Sequence, residues 1–305
     1  MNPHLQSIAD KIQQAENLTA AEKEFFLKAL KDTDKAETLL QFKLERTEKD
    51  RHTLSVMLEE SIEDLQKKAK AIEAQNRELE IESALERVRS VAMGMKQPAD
   101  MLDVCKTIAH QLELLHVKEI RNIQTAIFYE HRGSYMNYQY YAKHDKTFIT
   151  DTTYTDHEVA RDFAAKMLKG KGEFYITHIE GREKLENWIA YQTSTNVFID
   201  EYLHSASSLS YYWYSLGPVA LGVSTYFPLT EEEENLFKRF LNVFELAYRR
   251  YMDIELAIAQ AKEVQIELAL GRVRARTMAM QKSEEIQDTT LVLFKQFKEL
   301  GATTA

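Results

Sequence analysis

The sequence contains little cysteine, proline or glycine, with one, four and nine of these residues among 305. The single cysteine, Cys105, excludes an intrachain disulfide and a zinc site built from several cysteines. It lies in an amphipathic helical pattern, so we expect a packed thiol in a reducing compartment. The scattered glycines include no phosphate-binding loop.

Long apolar runs and an excess of positive charge are also absent. No run approaches the roughly 20 apolar residues that a membrane-spanning helix needs, and the first residues contain no apolar segment typical of a signal peptide. The net charge of −9 disfavours binding to phosphate backbones. We therefore expect a cytoplasmic protein that binds neither membranes nor nucleic acid.

Motifs for catalysis or metal binding are missing as well. The nine histidines show no metal-ligand spacing, and no serine or cysteine lies in a nucleophile-elbow pattern. His110 lacks the neighbouring acidic residue and the following Arg or Asn of a phosphoacceptor histidine. We predict a chain without enzymatic activity, with no catalytic residue, no metal and no cofactor.

The clearest pattern that is present is an internal repeat. Segment 81–95, IESALERVRSVAMGM, returns as 266–280, IELALGRVRARTMAM, with nine of 15 positions identical. Both copies end a charged helical stretch and lead into another helix, at 98–115 and 283–300. Everything between the copies is one repeating unit. We therefore expect the front part of a longer modular protein, in which 283–305 begins a second, incomplete unit.

Residues 1–33 are predicted to form two short helices. The second begins at a capping box, Thr19-Ala-Ala-Glu22, in which the hydroxyl and the carboxylate bind free N–H groups of the first turn.

Residues 34–97 are predicted to form a coiled-coil helix, because they contain no proline and carry a seam with steps of three and four. The seam consists of Leu40, Leu44, Thr47, Arg51, Leu54, Leu58, Ile62, Leu65, Ala69, Ile72, Asn76 and Leu79. A lone helix would leave this seam in water, so we expect a parallel homodimer in which Asn76 fixes the register. The alternatives are a solvated single helix and a helix folded back on its own domain.

Residues 98–250 are predicted to form one globular domain. Its elements are, in order, a helix at 98–115, strands at 123–129 and 135–141, a helix at 156–168, a strand at 173–178, a helix at 183–192 and strands at 208–216 and 219–227. Thr230 caps a last helix through Glu233, and this helix continues into a second linker helix, 251–282. The order predicts an α+β fold: an antiparallel sheet with helices, flanked by long coiled-coil helices.

Alternation along the last strand separates large from small side chains. Val219, Leu221 and Val223 fall on one face, and Ala220 and Gly222 on the other. We expect the small face to lie under a helix.

The domain resembles a GAF domain, a sensor module of bacterial two-component signalling proteins. The resemblance rests on the RVR-x-x-x-M-x-M segments at 87–95 and 272–280 and on Tyr226-Phe-Pro-Leu-Thr-Glu-Glu-Glu233, and it covers about 35–305. It implies a dimeric sensor that passes a conformational change, induced by a ligand or a partner, along coiled-coil helices to a C-terminal output domain such as a histidine kinase. The alternative is a coiled-coil scaffold whose degenerate GAF-like domain mediates protein interactions.

Eight side chains lie in the segments that surround the pocket in the GAF fold. These candidate ligand contacts are Tyr175, His178, Trp188, Tyr191, Phe198, Tyr202, Tyr212 and Tyr214. Ligand pockets are typically apolar and aromatic, but the same side chains would serve equally as core.

Eight linker residues are candidate transmission sites. They are Arg87, Arg89, Met93, Met95, Arg272, Arg274, Met278 and Met280. The arginines face several directions on their helices, and methionine side chains tolerate two packings of similar energy. Such a joint can switch between two states; the alternative is a rigid spacer with solvated arginines.

Overall fold

The structure, a computed structural model, describes residues 2–155, 158–194, 197–282 and 285–301. The chain divides into two compact units, Met1–Arg77 and Glu78–Ala305. None of the helices formed by the described residues is both long and apolar enough to cross a membrane.

Two helices begin the chain, α1 (Pro3–Gln14) and α2 (Ala20–Gly94). The predicted capping box starts α2: the Glu22 N–H donates to Thr19 Oγ1 at 3.3 Å, and the Thr19 N–H donates to Glu22 Oε2 at 2.9 Å. The expected second short helix does not end near residue 33. Because no Pro or Gly interrupts residues 20–93, the backbone continues as one helix.

The predicted seam residues lie on α2 and are exposed on the chain. The leucine and isoleucine residues of the seam, from Leu40 to Leu79, are between 48% and 67% exposed. The helical state of this segment is therefore confirmed, while its pairing with a second copy stays a prediction.

The second unit contains a six-stranded antiparallel sheet with the order β3-β2-β1-β6-β5-β4. The strands are β1 (Ile120–Tyr129), β2 (Ser134–Tyr141), β3 (Lys146–Thr153), β4 (Phe174–Glu180), β5 (Ser208–Ser215) and β6 (Val219–Thr225). The helices are α3 (Met101–Leu114), α4 (Glu158–Met167), α5 (Arg182–Ser194), α6 (Glu201–Ser205), α7 (Glu231–Met278) and α8 (Ile286–Glu299). The predicted α+β class with an antiparallel sheet is confirmed. The helix starts predicted at Asp156 and Ser283 lie outside the described residues.

The sequence does not predict strand β3. It pairs with β2 along its whole length, from Thr153 opposite Ser134 to Lys146 opposite Tyr141. Its side chains alternate between exposed and half-buried and are mostly polar, so no apolar alternation marks it.

Both faces of the sheet are covered by helices. On one face, Val219, Leu221 and Val223 pack in a core that includes residues of α3, α7 and the end of α2. On the other face, Ala220 packs in a core with Phe163 of α4. The alternation predicted for the last strand is confirmed, and its small face lies under a helix as expected.

Helix α7 carries the domain into the second linker. The predicted capping box is present, with the Glu233 N–H donating to Thr230 Oγ1 at 3.2 Å. The helix then runs without a break for 48 residues. Its apolar stripe is buried as far as Ile254, whereas Ile258 and Leu268 are 50% and 57% exposed.

We expect Gly222→Ala to destabilise the domain. A Cβ atom at Gly222 would lie 2.5 Å from Cδ2 of Trp213, and such overpacking costs roughly 1–3 kcal/mol of unfolding free energy. The control is Gly271→Ala on α7, where a Cβ atom meets nothing within 4 Å, and which should stabilise by up to about 1 kcal/mol. Urea unfolding measures both. Equal stabilities of the two variants would contradict the packing of Trp213 on Gly222.

Candidate functional site

A cavity of about 90 Å³ lies on the sheet face that α4 and α5 cover. The strands contribute polar side chains: Gln124, Asn137, Gln139, Thr152 and Thr177. Its aromatic lining consists of Tyr135, Phe163, Tyr175, Trp188, Tyr191, Tyr211 and Trp213. No Asp, Glu, Lys or Arg is among the described residues that line it. The cavity therefore suits an uncharged ligand with an aromatic or otherwise flat surface.

Three of the eight predicted ligand contacts line this cavity, namely Tyr175, Trp188 and Tyr191. The indole N–H of Trp188 donates to the Tyr211 hydroxyl at 2.9 Å. Tyr175 lies on β4 opposite Trp213 of β5. The structure thus brings these three side chains together with two aromatic residues of β5 that the sequence analysis did not select.

Tyr212 and Tyr214, the two predicted ligand contacts on β5, lie on the opposite face of the sheet. The Tyr212 hydroxyl accepts a hydrogen bond from the Leu229 N–H at 2.7 Å, and the Tyr214 hydroxyl donates to Glu234 at 2.6 Å. His178 belongs to the same face, since its ring contacts that of Tyr212 at a centroid distance of 5.7 Å.

Phe198 and Tyr202 do not line the cavity either. Phe198 stacks on Phe148, with ring centroids 4.7 Å apart. Tyr202 is 42% exposed and contacts the ring of His144.

Side chains alternate between the two faces of β5, and this alternation decides which of its aromatic residues face the cavity. The sequence alone did not show which face of β5 is turned towards the cavity.

Two buried amide side chains in the lining were also missed. Gln124 is 5% and Asn137 is 6% exposed. Among the described residues, neither Gln124 Nε2 nor Asn137 Oδ1 has a hydrogen-bond partner. Amide residues inside otherwise apolar or aromatic predicted strands are the signal that could have identified them, because buried polar groups are normally paired.

A buried ion pair fixes the segment behind the cavity. Arg121 Nε donates to Asp200 Oδ2 at 2.7 Å, and the two side chains are 1% and 0% exposed. Burial by itself raises the pKa of the Asp200 carboxyl, but the Arg121 charge and hydrogen bonds from Tyr226 and Leu203 outweigh it and hold that pKa below its ordinary value. Arg121 also donates to the Phe198 carbonyl at 3.2 Å. The segment before α6 is therefore attached to β1.

The hydroxyl of Tyr211 attaches α5 to the sheet. It accepts hydrogen bonds from Trp188 Nε1 and Gln192 Nε2, both at 2.9 Å, and a longer one from Arg121 Nη1 at 3.4 Å. One β5 side chain thus contacts both the helix over the cavity and the buried arginine.

The two linker repeats form the same polar joint. Arg87 Nη1 donates to Gln111 Oε1 at 3.1 Å, and Arg272 Nη1 donates to Gln296 Oε1 at 3.1 Å. The partners in the second joint are each 185 residues after those in the first. Both glutamines are buried, at 4% and 8% exposed. Each joint fastens a long helix to the helix that follows it.

The second arginine and the first methionine of each repeat are exposed in both copies. Arg89 pairs with Glu86, and Arg274 is exposed. Met93 and Met278 are 57% and 87% exposed.

Met95 and Met280, the last residues of the two repeats, are less exposed. Met95 is buried at 1% exposed, whereas Met280 is half-buried and its sulfur accepts a hydrogen bond from the Thr289 hydroxyl at 3.0 Å. Of the four methionines, only Met95 is therefore part of the core.

Two arginines fasten the end of α2 to α7. Arg239 donates to Glu78 at 2.7 and 2.6 Å and to Glu82 at 2.6 Å. Arg250 donates to the Met95 carbonyl through two nitrogens, at 3.2 and 3.1 Å. The helix that enters the domain and the helix that leaves it are thus linked directly.

We expect Arg121→Met to lower the unfolding free energy by about 3–5 kcal/mol, because it leaves the Asp200 carboxylate buried without its counter-charge. Adding Asp200→Asn should recover part of this loss, since an amide oxygen still accepts the Leu203 N–H. The matched control is Lys106→Met, which breaks the exposed Lys106–Asp145 pair and should cost less than about 1 kcal/mol. Chemical denaturation decides; a similar loss in both single variants would contradict the assigned role of Arg121.

No cluster of three His, Cys, Asp or Glu side chains among the described residues could hold a metal ion. No known protein-family model matches this chain, and no curated protein matches its sequence. What the cavity binds therefore has to be inferred from its own geometry.

Proposed function

We propose that this chain is a GAF-like sensor and signal-transmission region that works as a parallel dimer in the cytoplasm. A ligand in the cavity changes the packing of the long helices, which pass the change to an output domain such as a histidine kinase. The observation that carries the proposal is that the two faces of one sheet have different contacts. One face lines the cavity, and the other packs on the helices that enter and leave the domain.

Strand β5 is the proposed connection between the two faces. Its Tyr211 and Trp213 line the cavity, while Tyr212 and Tyr214 bind Leu229 and Glu234 at the start of α7. A ligand that binds one position of β5 better than another shifts α7 by its difference in affinity for the two states.

The Arg–Gln joints are the proposed contacts through which this movement passes from one helix to the next. They fix α2 to α3 and α7 to α8 through polar contacts between helices, and at the second joint the Arg272–Glu299 and Arg276–Asp288 ion pairs also connect α7 to α8. A polar contact of this kind can be exchanged for another, because a hydrogen bond to a charged group contributes only about 1.5–3 kcal/mol net. The joints therefore favour switching between two arrangements over a rigid spacer.

The first prediction of this proposal is dimerisation through the α2 seam. We expect a solution mass of about 71 kDa, twice the 35.5 kDa of the chain, at micromolar concentration. The double variant Leu58→Asp and Leu65→Asp should give the monomer mass, because dimerisation would bury unpaired charges. Ala71→Asp with Ala74→Asp adds the same charges on the exposed outer face of the helix, away from the seam and its flanking positions, and should stay dimeric. Sedimentation equilibrium measures all three proteins. A monomeric parent chain would exclude the parallel transmission helices.

The second prediction is coupling from the cavity to the end of α7. Ala160 is 7% exposed and lines the cavity, so Ala160→Leu should imitate an occupant by filling space. A spin label at Met278→Cys, where the side chain is 87% exposed, reports the distance between the two chains. Burial raises the pKa of the Cys105 thiol, so this thiol should not be labelled at neutral pH.

We expect Ala160→Leu to change the distance distribution between the two labels. The control Thr193→Leu lies on an exposed part of α5 and should leave the distribution as in the parent. An unchanged distribution in Ala160→Leu, with the cavity shown to be filled, would contradict transmission and favour the scaffold.

A further inference from the structure

The two unpartnered amides of the cavity lie on one face of two neighbouring strands. Gln124 on β1 is paired with Gln139 on β2, and Asn137 is two residues along β2 from Gln139, on the same face. Both side chains are more than nine-tenths buried and line the cavity. A donor, Gln124 Nε2, and an acceptor, Asn137 Oδ1, are therefore available to one occupant.

The neighbouring amide is already used. Gln139 Nε2 donates to the Thr150 hydroxyl at 3.2 Å, and Gln139 Oε1 accepts from the Tyr141 hydroxyl at 2.9 Å. The protein thus satisfies the amide that lies opposite Gln124 and two residues from Asn137, which makes the unpaired donor and acceptor a specific feature of this face.

The lining also restricts the charge of the occupant. No ionised side chain is among the described lining residues, and the nearby Arg121 is held by Asp200 and the Phe198 carbonyl. A phosphate or carboxylate group in the cavity would find no counter-charge among the lining residues that the structure describes, and burying such a group is strongly unfavourable. The occupant is therefore neutral.

The size and the walls restrict its shape. A cavity of about 90 Å³ is smaller than the roughly 150 Å³ apolar cavity known to accept benzene, so at most one small ring fits. The aromatic walls favour a flat molecule.

We infer that the cavity binds a small neutral amide, such as a lactam, a cyclic urea or a primary carboxamide. Its carbonyl oxygen accepts a hydrogen bond from Gln124 Nε2, and its N–H donates to Asn137 Oδ1. The inference rests on the proposed function only in giving the cavity a sensing role, since the hydrogen-bonding chemistry follows from the cavity alone.

The chain supplies its own reporter for binding. It contains two tryptophans, Trp188 and Trp213, and both line the cavity. Tryptophan fluorescence of the full chain should therefore respond to an occupant, and the melting temperature should rise with ligand concentration.

The test compares 2-pyrrolidinone with γ-butyrolactone, in which a ring oxygen replaces the N–H in a molecule of the same shape. We expect a saturable fluorescence change with 2-pyrrolidinone and about tenfold or more weaker binding of the lactone, because the lactone leaves the Asn137 acceptor unpaired. Asn137→Leu should remove this preference. Gln124→Met should weaken both ligands by similar factors, because both contain the carbonyl.

Three results would overturn the inference. They are equal binding of lactam and lactone by the parent chain, a preference for the lactam that survives in Asn137→Leu, and the absence of any saturable response to lactams, ureas and carboxamides. A melting temperature of both variants at or above that of the parent shows that they fold, so loss of binding cannot be assigned to unfolding.

Failure of the proposed function gives a different result. If 2-pyrrolidinone binds with the expected selectivity but leaves the distance between Met278→Cys labels unchanged, the ligand class holds and transmission fails. If the labels respond to Ala160→Leu but no amide binds, transmission holds and the ligand class fails.

Discussion

The central constraint on this protein is that the middle of its sheet is buried on both faces. Every residue of β5 and β6 is buried, so each strand has to fit two different surroundings in turn. Large aliphatic residues of β6 pack towards α3 and α7, while Ala220 and Gly222 leave room for Trp213 and the cavity on the other side. The cavity and the helix core are therefore two sides of one set of strands, and neither can be repacked without affecting the other.

The long helices depend on a second constraint, which is an uninterrupted backbone. Helix α2 has 75 residues and α7 has 48, and each begins at a Thr-x-x-Glu capping box. In proteins, most of the stability of a helix comes from the packing of its apolar face. In α7, that packing comes from the sheet as far as Ile254. Beyond it, Ile258 and Leu268 of the apolar stripe are exposed.

The features that could be predicted from sequence are those fixed by local chemistry. The capping boxes at Thr19 and Thr230, the two hairpins and the alternation along β6 depend on residues a few positions apart, and the structure has all of them. The cavity depends instead on which face of β5 is turned towards α5. Tyr211 and Tyr212 have the same side chain, so only tertiary packing separates the one in the lining from the one that binds Leu229. Strand β3 was missed because an edge strand with polar side chains has no apolar alternation to show.

The Arg–Gln joints could have been predicted from the sequence, although their glutamines lie after the repeated segments 81–95 and 266–280. Residues 111 and 296 are both glutamine and share the repeat spacing with Arg87 and Arg272, so a comparison continued past Met95 would have paired them. The two joints share this contact but have different apolar surroundings. Around the first, Ile108 and Leu112 are fully buried, whereas around the second Leu293 and Phe297 are 39% and 53% exposed.

The second joint nevertheless forms the same hydrogen bond at the same distance, and it does so although the apolar face of its helix α8 is largely exposed. The joint therefore does not require a packed sheet beneath it. It is a local contact between a long helix and the next helix, with Ala84 or Ala269 buried beside it. At the second joint the Arg272–Glu299 and Arg276–Asp288 ion pairs accompany this hydrogen bond, so polar contacts hold α8 against α7 where apolar packing is sparse.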